Sequence, residues 1–165
     1  MIKKRRKNNR LLNYDYSQKG WYFATICTAG RKNYFGAIFD DKMVINKYGK
    51  IVKNQWLWLR KHYKHIKLDE YVVMPNHLHG ILVIERRDRS RPVPTERIKS
   101  LSGLIGAFKT TSSKLIHGRG LNDFAWQRSF YDHVIRNENS LHEIRKYIKY
   151  NPLQWAVDRE NGKNV

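Results

Sequence analysis

The fold is decided by residues 72–84, which read VVMPNHLHGILVI. From residue 77 onward this run is apolar apart from two histidines, and its length and composition predict a strand that is covered on both faces. Alternate residues of a strand project to one face, so His77 and His79 lie side by side with room for a metal ion between their rings. Neutral imidazoles commonly bind divalent metals. The competing interpretation is two strand histidines that are hydrogen-bonded to neighbouring groups.

The composition is that of one globular domain. The chain has 165 residues, of which 41% are hydrophobic, and it includes five Trp, ten Tyr and six Phe, enough to form a core without cross-links. We expect a flexible basic arm over residues 1–10 and a single domain over residues 11–165. The only cysteine, Cys27, excludes an internal disulfide and favours a reducing compartment. No apolar run is long enough for a membrane span, and no signal peptide is recognisable, so we expect a cytoplasmic protein.

The charge of the chain points to a polyanionic partner. Thirty-three Lys and Arg residues against fourteen Asp and Glu residues give a formal net charge of +19. Nucleic acid is the first candidate for such a partner, and an anionic membrane surface is the second. The basic residues are spread along the chain in clusters at 3–7, 31–32, 61–67, 86–91 and 99–114. A solvated charged face would explain any one cluster, but it does not explain the shortage of acids.

The pattern along the chain predicts an α+β fold. Residues 21–28, 66–74, 77–84 and 124–135 have the composition of strands, and residues 46–62 and 98–118 have the apolar spacing of helices. A last helix follows the fourth strand. The order strand, helix, strand, strand, helix, strand is typical of a ferredoxin-like arrangement, an antiparallel sheet with helices on one face.

The last helix carries a tyrosine and an asparagine on one edge. Ser140 and Glu143 fit a capping box that starts the helix, and Pro152 stops it. Tyr147 and Asn151 are four residues apart, so they lie on the same side of the helix, about 6 Å apart along its axis. Taken alone, they are better explained as an aromatic residue at the edge of the core and a polar residue at a helix end.

Four ordered stretches of the chain resemble the REP-associated tyrosine transposases, relatives of the single-tyrosine HUH transposases. The resemblance covers residues 12–155. It rests on YDY at 14–16 leading to YFATICT at 22–28, VMPNHLHG at 73–80, WQRSFYDHVIR at 126–136 and YIKYNP at 147–152. Four matches in the correct order are far more specific than one pair of histidines.

This resemblance implies an enzyme that cleaves single-stranded DNA beside an imperfect hairpin and remains joined to the DNA through a tyrosine. The histidines of the HUH motif correspond to His77 and His79, the nucleophile to Tyr147 and the third metal ligand to Asn151. A Mg²⁺ or Mn²⁺ ion on two imidazoles and one amide oxygen would keep positions open for the scissile phosphate. A second tyrosine, Tyr150, lies in the same segment and could be mistaken for the nucleophile. The four-residue spacing to Asn151 favours Tyr147.

Three functions remain in competition at this stage. The first is a metal-dependent, tyrosine-mediated DNA endonuclease and strand transferase that acts beside hairpin-forming repetitive elements. The second is a catalytically inactive regulator that binds hairpin DNA, although such a protein has no chemical reason to retain all four site residues. The third is an RNA-binding module of ferredoxin-like fold, but the His77 strand lacks the exposed aromatic pair of such modules. We expect single-stranded or hairpin DNA as the partner, no membrane, no small-molecule cofactor, and a monomer or a dimer.

Overall fold

A computed structural model describes residues 11, 13–85, 99–157 and 161. Six strands and three α-helices lie within these residues, in the order β1 Gly20–Cys27, β2 Gly36–Phe39, β3 Lys42–Ile45, α1 Lys47–His62, β4 Ile66–Val73, β5 His77–Ile84, α2 Leu101–His117, β6 Tyr131–Ile135 and α3 Glu138–Tyr150. The predicted basic arm at 1–10 and the basic cluster at 86–91 lie outside the described residues. The single domain over 11–165 stays a prediction.

The main sheet has four antiparallel strands in the order β4-β5-β1-β6. This is the strand order of a ferredoxin-like fold, so the predicted fold class is confirmed. β5 lies at the centre and all eight of its residues are buried, which explains its nearly continuous apolar composition. Its neighbour β1 pairs Thr25 with His79 and Cys27 with His77. The registered pairs place all four side chains on one face of the sheet.

Helices cover both faces of this sheet. α1 and α2 pack on one face, where Trp56 and Phe108 join Leu78 and Leu82 of β5 in the larger core cluster. α3 packs on the opposite face, the face of the histidines, through a smaller cluster formed by Phe23, Ile81, Ile135, Leu141 and Ile148. Leu141 and Ile148 form the buried stripe of α3. None of the helices in the described ranges is long and apolar enough to cross a membrane.

Gly80 brings α1 close to the central strand. A Cβ atom at this position would lie 2.5 Å from Cζ2 of Trp56, a distance shorter than any real van der Waals contact. The indole of Trp56 is fully buried and occupies the space that a side chain would need. The glycine that follows the two histidines therefore serves the packing of the opposite face of the sheet.

Two sequence predictions about element boundaries were wrong. The fourth strand was expected over 124–135, but only Tyr131–Ile135 pairs with β1, and Trp126 forms a single bridge with Thr28. The last helix was expected to begin at Ser140, but Asn137 caps it by accepting a hydrogen bond from the Ser140 amide, so the helix begins at Glu138. Ser140 lies inside the first turn and is not the cap.

Candidate active site

The histidines enter the structure directly after the tight turn between β4 and β5. The amide of Met74 donates to the carbonyl of His77, which closes the turn around Pro75 and Asn76. The amide of Phe35 donates to the carbonyl of Pro75 and the amide of Thr28 to the carbonyl of Asn76, each within 2.9 Å. The turn is thus held by hydrogen bonds from two other parts of the chain, which fixes the direction in which β5 starts.

His77 and His79 face each other in a buried position. Their side chains are at most 1% exposed, and the two Nε2 atoms lie 2.9 Å apart. Facing lone pairs repel, so two nitrogen atoms at this separation share a proton or a cation. The predicted juxtaposition of the two rings is present in the structure.

Each histidine is oriented by a partner on its other ring nitrogen. Nδ1 of His77 lies 2.8 Å from Oδ1 of Asn76, and the Asn76 amide nitrogen donates to the carbonyl of Arg31. Because that amide nitrogen is the donor, Oδ1 accepts from Nδ1–H, which leaves the lone pair of His77 on Nε2. Nδ1 of His79 lies 2.8 Å from the hydroxyl of Thr25. The Thr25 hydroxyl holds the His79 ring through this hydrogen bond, in which either atom can be the donor.

Tyr147 reaches the histidine pair from α3. Its hydroxyl lies 3.2 Å from Nε2 of His79, and its ring packs edge-on against the rings of His79 and Phe23. Tyr147 is 38% exposed, so it is accessible to solvent although its ring packs against these two side chains. The structure thus brings Tyr147 into contact with His79, although 68 residues separate them.

Asn151 is buried at the end of α3, one turn beyond Tyr147. The segment that follows it turns back towards the site, because Trp155 packs against the ring of His77 with 5.9 Å between ring centroids. A fully buried amide at this position is consistent with a ligand role, but the role of Asn151 as third ligand stays a prediction. In the described residues no group of three or more His, Cys, Asp or Glu side chains could hold a metal ion.

Tyr150 lies on a different side of α3. It is 48% exposed, and its ring contacts the Lys149 ammonium. Lys146 pairs with Glu143, so neither flanking lysine is directed at Tyr147. Within the described part of the chain, only one of the two tyrosines in this segment contacts a histidine of the pair.

A bidentate ion pair fixes α3 above the sheet. Nε and Nη2 of Arg145 donate to the two carboxylate oxygens of Asp69 at 2.8 and 2.7 Å. Asp69 lies at an irregularity in β4, between Leu68 and Tyr71. The hydrogen bonds from Arg145 lower the pKa of the Asp69 carboxyl. Tyr147 follows two residues after Arg145, so this ion pair constrains the turn of α3 that carries the tyrosine.

Several side chains of the site could not be found from sequence patterns alone. They are the two that orient the histidines, Thr25 and Asn76, and the aromatic residues around the rings, Phe23 and Trp155. Their positions depend on pairing between β1 and β5 and on the course of the chain after α3. Phe23 and Thr25 lie in the first of the four stretches quoted above, Asn76 lies in the second, and Trp155 follows the last. This position in the sequence was the only available signal.

His77 and His79 are the residues of this site that could hold a metal ion, since their imidazole rings lie side by side with 2.9 Å between the two Nε2 atoms.

Known proteins resemble this chain in sequence and in fold. No protein-family model matches the chain. An uncharacterised protein of Haemophilus influenzae is 32% identical over 165 residues, which cover 93% of this chain and 92% of that protein. The two proteins belong to one family.

Among solved structures, that of a REP-associated tyrosine transposase bound to a REP hairpin superposes with a TM-score of 0.59 at 19% identity, over 88% of this chain and 73% of that chain. This chain has the tyrosine-transposase fold. A candidate transposase from Deinococcus radiodurans R1 superposes with a TM-score of 0.50 at 16% identity, over 85% of this chain and 95% of that chain. The fold expected from the sequence resemblance is confirmed.

Proposed function

We propose that this protein is a metal-dependent endonuclease and strand transferase that cleaves single-stranded DNA beside hairpin-forming repetitive elements. One observation carries the proposal: the Tyr147 hydroxyl lies 3.2 Å from His79, whose Nε2 atom is itself 2.9 Å from that of His77. A nucleophile, a candidate metal site and access to solvent are combined within one small region.

The residues of the site fit a Mg²⁺ or Mn²⁺ ion. His77 and His79 would supply two nitrogen ligands and Asn151 an amide oxygen, with Asn76 and Thr25 holding the outer nitrogens of the rings. When bound, the ion supplies Lewis-acid chemistry at a phosphate oxygen. The protein contributes the position of the ligands and the burial that keeps them in a single orientation.

The proposed reaction exchanges one phosphodiester for another. The Tyr147 oxygen attacks the phosphorus and forms an O–P bond, the bond from phosphorus to the 3′ oxygen breaks, and the phenolic proton passes to solvent while the leaving 3′ oxygen takes one up. The DNA is then joined to Tyr147 through its 5′ phosphate and carries a free 3′ hydroxyl. Attack by another 3′ hydroxyl reverses the step and joins two strands, so no external energy source is needed.

DNA is the proposed partner for reasons of charge and likeness. The net charge of +19 suits a phosphate backbone. The REP-associated tyrosine transposase whose structure superposes on this chain was solved with a REP hairpin. A hairpin with a single-stranded flank presents both a shape to recognise and an accessible phosphate to cut.

Incubation of the protein with labelled hairpin DNA and Mg²⁺ tests the proposal, with products resolved on a denaturing gel. We expect a cleaved strand and a slower covalent species in the wild type, and neither product in His77→Ala, His79→Ala or excess chelator. Retained gel shifts in those variants would show that they still fold and bind. Undiminished cleavage in chelator would contradict the metal site, and binding without any cleavage by the wild type would favour the inactive regulator.

A further inference from the structure

A groove lies between α2 and residues 124–128, on the face of the sheet opposite the histidines. Its volume is about 660 Å³. Buried Phe124 and Trp126 form its apolar side, and Lys114, His117 and Arg128 are exposed along it. Trp126 is only 9% exposed, and its indole nitrogen donates to Ser112, so this tryptophan is a wall of the groove and not a free stacking platform.

The groove carries positive charge from Lys114 and Arg128. No Asp or Glu is among its lining residues. Lys114 and Arg128 form no ion pair with any residue that the structure describes. The Lys109 ammonium donates to the carbonyls of residues 127, 128 and 129 and so holds this segment against α2.

The groove is connected to the site through the backbone of β1. The Gln127 amide donates to the carbonyl of Cys27, and Cys27 is the register partner of His77 on the other side. Two strand spacings, about 10 Å, therefore separate the backbones of Gln127 and His77 across the sheet. A nucleic-acid strand that leaves the histidine pair around this end of the sheet reaches the groove within a few nucleotides.

We propose that this groove binds the phosphate backbone of a single DNA strand adjoining the phosphate at the histidine pair, with Lys114 and Arg128 each contacting one phosphate. The volume is that of a drug-sized ligand, or about one or two nucleotides. Positive grooves with apolar walls are typical of surfaces that follow single strands. The inference rests on the proposed function only in taking DNA as the partner.

A phosphate scan tests the groove without requiring cleavage. A hairpin oligonucleotide with single-stranded flanks is prepared with one neutral methylphosphonate at each position in turn, and its affinity is measured for the wild type and for Lys114→Gln/Arg128→Gln. Two exposed lysines of α1 give the matched control, Lys50→Gln/Lys53→Gln. Unchanged urea midpoints establish that both variants fold as the wild type does.

We expect the wild type to lose affinity several-fold when either of two neighbouring flank phosphates is neutral. In the groove variant those two positions lose their effect, the affinity for unmodified DNA falls about 10-fold, and the slope of log affinity against log salt falls by about 1.4. The control variant should lose affinity at the same two positions as the wild type. A scan of the groove variant that matches the wild type, or equal losses in groove and control variants, would overturn the proposal. A separate assay for covalent adduct in the wild type shows whether the proposed function fails independently.

Discussion

At the scale of single residues, Thr25 and Asn76 each hold the outer nitrogen of one histidine. Thr25→Val keeps the shape of the side chain and removes the hydroxyl, so His79 loses the group that is hydrogen-bonded to its Nδ1 atom. We expect the affinity for Mn²⁺ to fall about 10- to 100-fold, as measured by titration calorimetry on the DNA-free protein. Thr25→Ser should retain the affinity. Equal Mn²⁺ affinities in wild type and Thr25→Val would contradict the role of this hydroxyl.

The same residues show which parts of the site can be predicted from the sequence. The period of a strand places His77 and His79 on one face, and the turn of a helix places Tyr147 and Asn151 on one edge. Neither rule identifies Thr25, because its contact with His79 depends on the register between strands whose paired residues are 54 positions apart. Local spacing placed the candidate site residues in pairs, and long-range strand pairing supplied the groups that orient the histidines.

At the scale of elements, Gly80 controls the packing of α1 on β5. Gly80→Ala would place a methyl group 2.5 Å from the buried ring of Trp56, so we expect a loss of about 1–3 kcal/mol in the free energy of unfolding measured in urea. Gly106→Ala is the matched control, because that exposed position in α2 has nothing within 4 Å of the new Cβ. There we expect a gain of about 0.5–1 kcal/mol. Similar effects at both positions would contradict the packing argument.

The ion pair between α3 and β4 predicts a loss of stability in acid. Hydrogen bonds from Arg145 lower the pKa of Asp69 in the folded state, so its contribution is present above the unfolded value, about 3.9, and is lost as the pH falls through the folded pKa. Arg145 is 40% exposed and solvent screens the pair, so we expect Asp69→Asn to cost about 1 kcal/mol at pH 7.

This difference between Asp69→Asn and the wild type should begin to shrink below about pH 4, because the carboxyl of the unfolded wild type takes up a proton there. The difference is lost only below the lowered pKa of the folded Asp69 carboxyl. Urea unfolding between pH 7 and pH 2.5 measures it. The more exposed pair of Lys67 and Glu85 supplies the comparison, and Glu85→Gln should have a smaller effect at neutral pH. A difference for Asp69→Asn that is independent of pH would show that the pair does not stabilise α3 through charge.

The elements also show where patterns were insufficient. The β2–β3 hairpin was not predicted, although Asp40 and Asp41 have φ of 46° and 58°, as the central residues of a type I′ turn require. Strands of four residues give too little alternation to be recognised, and Asp-Asp is a weaker turn signal than Asn-Gly. The cap of α3 was misplaced because Asn137 and Ser140 both resemble N-caps, and only the hydrogen bond between them shows which one acts.

At the scale of the whole molecule, the net charge of +19 predicts that DNA binding depends on salt far more than on metal. Each phosphate contact contributes about 0.7–0.9 to the slope of log affinity against log salt, so several contacts should give a slope of about −3 or steeper. Chelation of metal should leave this slope nearly unchanged, since the proposed metal site would contact only one phosphate. A shallow slope, or binding abolished by chelator in a fluorescence titration, would contradict this division between binding and chemistry.

The most direct test of the central claim is the identity of the residue that becomes attached to DNA. After incubation with hairpin DNA and Mg²⁺, protease digestion and mass spectrometry should locate the nucleotide on Tyr147, the tyrosine whose hydroxyl lies 3.2 Å from His79. Tyr147→Phe should abolish the adduct and preserve folding and hairpin binding, whereas Tyr150→Phe should retain it. An adduct mapped to Tyr150, or one that persists in Tyr147→Phe, would contradict the account.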